Sequence, residues 1–261
     1  VPAEAYKLAE AFWPGPLTMV LPRTGALAQQ VSAGLATVGV RMPAHPAARA
    51  VIASAGVPLA APSANLSGSP SPTTAAHVLA DMQGRIPLIL DGGASPVGVE
   101  STVVSLAGTP TVLRPGFITP EELSGVLGVP VALAGAVTAP LAEGQAPASP
   151  GMKYKHYAPK AEITILQGPF TAFCSYVAAH AAQNVWALCF EGEEAALPVP
   201  AVAYGKEKED ASQAAGLFAA LRRLDEVGAG VVYARCPASS GVGLAVYNRL
   251  LRAAAFRVVQ L

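Results

Sequence analysis

Short apolar runs separated by Gly, Pro and Ser fill the first half of the chain. Runs rich in Val, Leu and Thr and bounded by turn residues predict β-strands. We predict strands at 17–22, 37–43, 57–63, 87–93, 101–106 and 109–116. Apolar residues at helical spacing predict helices at 2–12, 46–55, 73–82 and 119–127. Because strands outnumber helices, we predict a mixed sheet here rather than a strict βαβ repeat.

The helix predicted at 119–127 begins with a capping signature. Thr119 can accept a hydrogen bond from the first turn, Pro120 suits the first helical position, and Glu122 can bond back to the cap. The sequence therefore predicts where this helix starts.

From residue 161 onward, strand-like and helix-like runs alternate regularly. The predicted strands are 161–167, 184–190 and 230–237, and the predicted helices are 170–183, 211–227 and 243–256. Such alternation predicts a small parallel, Rossmann-like α/β domain. No GxGxxG follows its first strand, so a dinucleotide site is not supported there.

A stretch rich in Ala, Gly and Pro separates the two patterns, and it ends in the basic, aromatic segment SPGMKYKHYAPK at 149–160. We predict a first domain at 1–127, a linker at 128–160 and a second domain at 161–261. The basic end could contact RNA, act as a solvated tether, or fold over an anion site as a lid. We favour the lid, because a tether rarely carries two tyrosines in four residues.

The charge balance narrows the function classes. The chain has 17 Lys+Arg and 17 Asp+Glu, and 52% of its residues are hydrophobic. This composition disfavours a chain that is disordered throughout, a strong nucleic-acid binder and a polybasic protein that binds membrane surfaces. No run approaches the roughly 20 apolar residues of a membrane span, and no secretory signal is visible. Three cysteines without a CxxC predict buried thiols in a reducing compartment, so we expect a cytoplasmic protein.

Hydroxyl and amide side chains are concentrated at 58–74, PLAAPSANLSGSPSPTT, directly before a predicted helix. Such a loop suits phosphate or carboxylate binding, or it simply caps the helix. Arg41 and Arg114 each end a strand and precede a turn containing Pro, where a guanidinium can hold an anion by two hydrogen bonds. The pattern leaves an anion site and an ordinary polar loop both open.

No signature of covalent or metal catalysis accompanies these residues. The four histidines are far apart and form no HxxxH or HExxH, so we expect no metal site, and we expect no catalytic triad. The run GVESTVV at 98–104 places Ser101 and Thr102 at a strand start, where they could contact phosphate or pair within the sheet.

Seven motifs along the chain together resemble the threonylcarbamoyl-AMP synthase family in its long form. They are WPGPLTMVL, TVGVRMPAHPAA, PLAAPSANLSGSPSPTTA, GVESTVVS, VLRPG, SPGMKYKHYAP and GLAVYNRLLRAA. The resemblance implies a YrdC domain with a twisted mixed sheet, followed by a Rossmann-like Sua-type domain. Family members carry roughly 80 further N-terminal residues, about half a domain, with a PTET-Y-GLG-like strand and a K-x-R-P segment. We therefore expect this sequence to begin inside the first domain.

The resemblance implies a nucleotidyltransferase that joins L-threonine, bicarbonate and ATP, with Mg²⁺ on the phosphates, into threonylcarbamoyl-AMP and pyrophosphate. A tRNA threonylcarbamoyl transferase would receive the product, with weak or no direct nucleic-acid binding and no membrane. The alternatives are a nucleotide- or RNA-binding module without catalysis and a relative that makes carbamoyl-adenylate.

The resemblance also assigns site residues. Arg41 and the backbone of Ala61 correspond to threonine contacts. The implied ATP contacts are Thr37, Ser63, Asn65, Ser71, Ser101, Arg114 and Tyr154, with Asn65 holding either the loop or a phosphate oxygen.

Overall fold

The computed structural model describes residues 1–25, 27–140 and 157–261. These residues group into two compact units. The first comprises Val1–Pro62 and the described part of Glu100–Met152, and the second comprises Ser63–Val99 and the described part of Lys153–Leu261. No sequence pattern predicts that residues 63–99 group with the second unit, and the domain boundaries at 127 and 161 stay a prediction.

Helices and strands alternate irregularly in the first unit and regularly in the second. The described α-helices are α1 (Ala3–Phe12), α2 (Pro46–Ala55), α3 (Ala75–Met82), α4 (Pro120–Leu127), α5 (Phe170–Ala179), α6 (Asp210–Glu226) and α7 (Gly243–Ala253), and short 3-10 helices lie at Gln29–Ser32, Gly135–Val137 and Glu194–Ala196. The described strands are β1 (Leu17–Pro22), β2 (Thr37–Val40), β3 (Thr102–Ser105), β4 (Thr111–Arg114), β5 (Ala132–Leu133), β6 (Glu162–Gln167), β7 (Val185–Cys189), β8 (Ala201–Ala203), β9 (Val231–Arg235) and β10 (Val258–Gln260).

The sheet of the first unit is mixed, as predicted. Its order is β2-β1-β3-β4-β5. The β1–β2 and β3–β4 pairs are antiparallel, whereas β1–β3 and β4–β5 are parallel. Alternate residues of β1 (Leu17, Met19 and Leu21) share one face of the sheet, where they join a buried cluster with Leu8 of α1 and Leu123 of α4. The predicted capping box at Thr119 is present at the start of α4.

The sheet of the second unit is parallel throughout, with the order β10-β6-β9-β7-β8. Helix α6 buries Leu217, Leu221 and Leu224 completely, so the apolar face predicted from the sequence packs into the core of this unit. The Rossmann-like α/β prediction is confirmed. Among the described residues, no helix is both long and apolar enough to cross a bilayer.

Two predicted strands are wrong. Residues 57–63 and 87–93 form no regular secondary structure, and large side chains in them are exposed, Leu88 at 69% and Leu90 at 64%. An apolar run becomes a strand only where a neighbouring strand accepts its backbone hydrogen bonds, and no described strand pairs with either segment. The short strands β5, β8 and β10 lacked any sequence signal, because two or three residues show no periodicity.

Candidate functional site

The predicted site residues belong to both compact units. Arg41, Thr37, Ala61, Ser101 and Arg114 lie in the first unit. Ser63, Asn65 and Ser71 lie in the second unit, which contains residues 63–74 of the hydroxyl-rich loop.

Arg114 and Ser101 are in direct contact in the first unit. Arg114 ends β4 and donates to the Ser101 carbonyl oxygen from Nε at 3.2 Å and from Nη2 at 3.0 Å. Nη2 also reaches Ser101 Oγ at 3.3 Å, and that hydroxyl is 2.7 Å from Thr18 Oγ1 on β1. The pairing of β3 with β4 brings these residues together, because Arg114 lies opposite Val103 in the register. Two of the residues that the family resemblance assigned to ATP therefore form one hydrogen-bonded group.

Arg41 follows β2 and donates from Nε to the Gly15 carbonyl oxygen at 3.0 Å. Surrounding protein atoms lower the pKa of Arg41 through desolvation, although the residue as a whole is exposed, and the positive charge of Arg114 lowers that pKa further. The hydrogen bonds also place both side chains near the start of β1, since Arg41 bonds to Gly15 and Arg114 reaches Thr18 through the Ser101 hydroxyl. A concentration of positive charge of this kind attracts an anionic ligand.

The other predicted residues of the first unit contribute less distinctive geometry. Thr37 is the first residue of β2 and is half-buried, opposite Pro22 in the register. Ala61 lies in the exposed, irregular stretch that was predicted as a strand. Thr102 is structural, because its hydroxyl donates to the Ile118 carbonyl oxygen at 2.6 Å and accepts from the Ile118 N–H at 3.1 Å.

In the second unit, Asn65 closes the hydroxyl loop on itself. Its Nδ2 donates to the carbonyl oxygens of Leu66 at 2.8 Å and Ser69 at 3.3 Å. Its Oδ1 is buried and has no hydrogen-bond partner among the described residues. Ser63 is exposed, whereas Ser71 is buried. The loop is therefore a folded turn with one acceptor that has no partner among the described residues.

The loop also caps helix α3, which was the alternative interpretation of its sequence. Thr74 Oγ1 accepts from the His77 N–H at 3.3 Å, and the Thr73 N–H donates to His77 Nδ1 at 3.2 Å. The last two hydroxyl residues are thus used for capping. The rest of the loop keeps the composition of an anion site.

The basic segment that was predicted as a lid lies mostly outside the described residues, and Tyr154 is among those not described. Tyr157 at its end is described and is 2% exposed, with its ring centroid 5.4 Å from that of Phe218. One of the two tyrosines behind the lid hypothesis is therefore a core residue.

Sequence reasoning missed an ion pair that touches the loop. Arg222 of α6 and Asp81 of α3 are 2.7 Å apart (Nη2 to Oδ2), and their side chains are 11% and 12% exposed. Neither residue lies in a motif, and they are 141 positions apart. No local pattern could have paired them.

Comparisons with known proteins agree with this architecture. The family model Sua5_yciO_yrdC, described as "Telomere recombination", matches residues 1–116, and the model "Threonylcarbamoyl-AMP synthase, C-terminal domain" matches residues 118–255. A mixed-sheet domain and a parallel-sheet domain in this order define a two-domain protein of the Sua5–YrdC class. The chain belongs to the threonylcarbamoyl-AMP synthase family.

Individual relatives resemble the chain over its whole length. The threonylcarbamoyl-AMP synthase of Bacillus subtilis is 43% identical over 99% of this chain and 75% of that protein. The Pyrococcus abyssi enzyme of the same name is 40% identical over 100% of this chain and 76% of that protein. The crystal structure of P. abyssi Sua5 complexed with L-threonine superposes with a TM-score of 0.90 at 40% identity, covering 100% of this chain and 76% of that one. A doubly substituted variant of the same protein gives 0.91 at 38% identity, covering 100% of this chain and 75% of that one.

Proposed function

We propose that this protein is an L-threonylcarbamoyladenylate synthase, which converts L-threonine, bicarbonate and ATP into threonylcarbamoyl-AMP, pyrophosphate and water. The observation that carries the proposal is the match over 99–100% of this chain to threonylcarbamoyl-AMP synthases. Arg41 and Arg114, both held near the start of β1, form a cluster of positive charge in the first unit. Carboxylate and phosphate groups are the ligands that such a cluster attracts.

The reaction needs positioning more than covalent catalysis. The threonine amine attacks the carbonyl carbon of bicarbonate and water leaves, which gives a carbamate. A carbamate oxygen then attacks the α-phosphorus of ATP, and pyrophosphate departs with the electrons of the broken P–O bond. Holding three reactants together and neutralising the phosphate charge supply the rate enhancement, so no general-base triad is required.

Each predicted residue has a role in this scheme. Arg41 pairs with the threonine carboxylate, beside the backbone of Ala61. Arg114 and Ser101, which are hydrogen-bonded to one another, contact the nucleotide together. The remaining nucleotide contacts are Thr37, Ser63, Asn65, Ser71 and Tyr154.

We propose that Mg²⁺ arrives with ATP as part of the substrate. Mg²⁺ is usually held by substrate phosphates, waters and one or two carboxylates. The described residues include no group of three or more His, Cys, Asp and Glu side chains placed to hold a metal ion. This composition fits an ion that is held mainly by the nucleotide.

The product is passed to a tRNA threonylcarbamoyl transferase rather than attached to tRNA here. The equal numbers of basic and acidic residues support weak or no direct nucleic-acid binding. A cytoplasmic location, where the tRNA acceptor is used, belongs to the same proposal.

Pyrophosphate release tests the function. The purified chain is incubated with ATP, Mg²⁺ and bicarbonate, with and without L-threonine, and the adenylate is identified by mass spectrometry. We expect pyrophosphate and threonylcarbamoyl-AMP in equal amounts, and only with threonine. ATP binding without turnover would favour the binding-module alternative, and release that is independent of threonine would contradict the proposed substrate.

A further inference from the structure

The buried guanidinium of Arg222 links helix α6 to the hydroxyl loop. Its two terminal nitrogens hold both oxygens of Asp81, Nη1 to Oδ1 at 3.1 Å and Nη2 to Oδ2 at 2.7 Å. Nη2 also donates to the carbonyl oxygen of Pro70 at 2.6 Å. The side chains of Arg222 and Asp81 are only 11% and 12% exposed. One side chain therefore contacts the last turn of α3 and the loop backbone together.

The loop backbone is fixed at three alternate residues. The Leu66 N–H donates to Asp81 Oδ2 at 3.4 Å, so the carboxylate that Arg222 holds also contacts the loop. The Gly68 carbonyl oxygen accepts from the Ala158 N–H at 3.1 Å. Pro70 is held directly by Arg222. Asn65 precedes the first of these points and Ser71 follows the last.

The far end of the segment 63–99 is also attached to α6. Val99 is buried in the core cluster that contains Leu217 and Leu221 of α6. Gly98 packs so closely that an added Cβ would lie 2.3 Å from the Ala214 carbonyl oxygen. Both ends of the segment are thus held by the Rossmann-like unit, which explains why it groups with that unit.

The ion pair depends on both partners. A buried carboxylate that loses its partner is strongly unfavourable, and the hydrogen bond from Arg222 is the main cause that lowers the pKa of Asp81. Removing the guanidinium leaves Asp81 uncompensated and frees the Pro70 carbonyl. The loop would then lose its attachment at Pro70, and the carboxylate that accepts from Leu66 would no longer be fixed by its partner.

We propose that Arg222 is a positioning residue for ATP, which holds the loop 65–71 so that Asn65 and Ser71 are presented to the nucleotide in a fixed geometry. The inference rests on the proposed function and deepens it, because it gives the C-terminal domain a role in nucleotide binding. The Oδ1 of Asn65, which has no partner among the described residues, can only accept a hydrogen bond, so this geometry directs it to a hydroxyl or amino group of the nucleotide rather than to a phosphate.

The chain offers a matched control at the next position. Arg223 lies on the same helix, is 59% exposed and pairs only at the surface with Glu226. We expect Arg222→Met to lower kcat/KM for ATP by about tenfold to a hundredfold, the range that a small misplacement produces. Arg223→Met should stay within about twofold of wild type, since exposed ion pairs contribute little. The KM for threonine should change less than the KM for ATP, a difference that general loss of folded protein would not produce.

Two further variants keep the test decisive if Arg222→Met folds poorly. Arg222→Lys keeps the charge but not the fork of donors, so we expect an intermediate loss for ATP. Asp81→Asn should lower kcat/KM for ATP about as much as Arg222→Met does. Expressed as free energies, the loss in the double variant should be smaller than the sum of the losses in the two single variants. Additive losses would overturn the pairing of these residues.

Amide hydrogen exchange provides a readout that needs no activity. We expect faster exchange at 65–71 in Arg222→Met than in Arg223→Met, with exchange at 214–221 unchanged in both. Unchanged exchange in the loop would overturn the positioning role even if the enzyme is active. Faster exchange together with unchanged ATP affinity by calorimetry would also overturn the inference, while threonine-dependent pyrophosphate release in wild type would leave the proposed function standing.

Discussion

At the scale of single residues, the two strand-end arginines differ more than their sequences suggest. Arg114 ends β4 and Arg41 directly follows β2, and each precedes a turn containing Pro. Arg114 directs Nε and Nη2 onto Ser101, whereas the hydrogen bond from Arg41 uses Nε and goes to Gly15. Arg114 is thus tied to a predicted nucleotide contact, whereas the hydrogen bond that Arg41 makes to a described residue uses the inner nitrogen of its guanidinium. This difference fits Arg41 as the arginine that binds the small carboxylate ligand.

Arg41→Ala should therefore weaken threonine binding much more than ATP binding. A charge-assisted, bidentate contact contributes about 1.5–3 kcal/mol, or roughly tenfold to a hundredfold in affinity. Calorimetry with each ligand separately measures the two losses. Arg49→Ala, at an exposed position on α2, serves as the control and should leave both affinities unchanged. Equal losses for the two ligands in Arg41→Ala would contradict its assignment to threonine.

At the scale of elements, the cap of helix α3 includes a titratable side chain, His77. His77 Nδ1 accepts from the Thr73 N–H, which requires that this nitrogen carry no proton. Burial is the largest cause that lowers the pKa of His77 below its ordinary value of 6.5, followed by the charge of Arg222, while Glu226 and Asp81 act in the opposite direction. The folded protein therefore binds a proton at His77 less readily than the unfolded chain does.

The sign of the resulting pH dependence follows from linkage. Because the folded pKa is lower, the contribution of His77 to stability is complete above pH 6.5 and is lost as the pH falls toward the folded value. We expect the urea midpoint of wild type to fall more between pH 7.5 and about 5 than that of His77→Gln, which cannot titrate there. If the urea midpoints of the two proteins fall equally with pH, His77 does not contribute to the pH dependence of stability.

The contact between the segment 97–99 and α6 gives a second prediction at this scale. Gly98 has a φ of +75° and no room for a Cβ, whereas Gly93 has a φ of +84° with open space around it. Alanine at either position suffers about 1–2 kcal/mol from the left-handed backbone, and only Gly98→Ala adds a clash of about 1–3 kcal/mol. Urea midpoints should therefore fall further for Gly98→Ala than for Gly93→Ala. Equal shifts of the urea midpoint in the two variants would mean that α6 moves away from residue 98 without loss of stability.

At the scale of the whole molecule, the two sheets differ in how completely the sequence determines them. The parallel sheet of the second unit follows from regular alternation, whereas the mixed sheet of the first unit depends on pairings between distant strands, such as β1 with β3. The predicted site residues are divided between the two units. Loss of either unit would therefore remove part of the predicted binding set.

The hypothesis that the basic segment 149–160 is a lid concerns the whole molecule. Because Tyr157 is a core residue, this hypothesis depends on Tyr154 and the lysines beside it. If the segment covers bound nucleotide, ATP and threonine together should slow trypsin cleavage at Lys153 and Lys155. Tyr154→Ala should then release less intact adenylate for each ATP consumed, because water reaches the mixed anhydride. Cleavage at the same rate with saturating ligands, together with unchanged coupling, would identify the segment as a solvated connector.

The sequence by itself determined the features that depend on neighbouring residues. The capping box at Thr119 and the apolar face of α6 were predicted correctly, because caps and periodicity involve residues within a few positions of one another. The order of mixed and parallel sheets also followed from the spacing of the runs. The assignment of Arg41, Ser71 and the other binding residues came from family motifs and stays a prediction.

Only the tertiary structure decided which distant segments meet. It showed that 57–63 and 87–93 are not strands, because forming one requires a partner elsewhere in the chain. It paired Arg222 with Asp81 across 141 positions and placed residues 63–99 with the second unit. Hydrogen bonds and burial between distant residues leave no local period in the sequence, so the role of α6 in holding the loop could be found only in the folded protein.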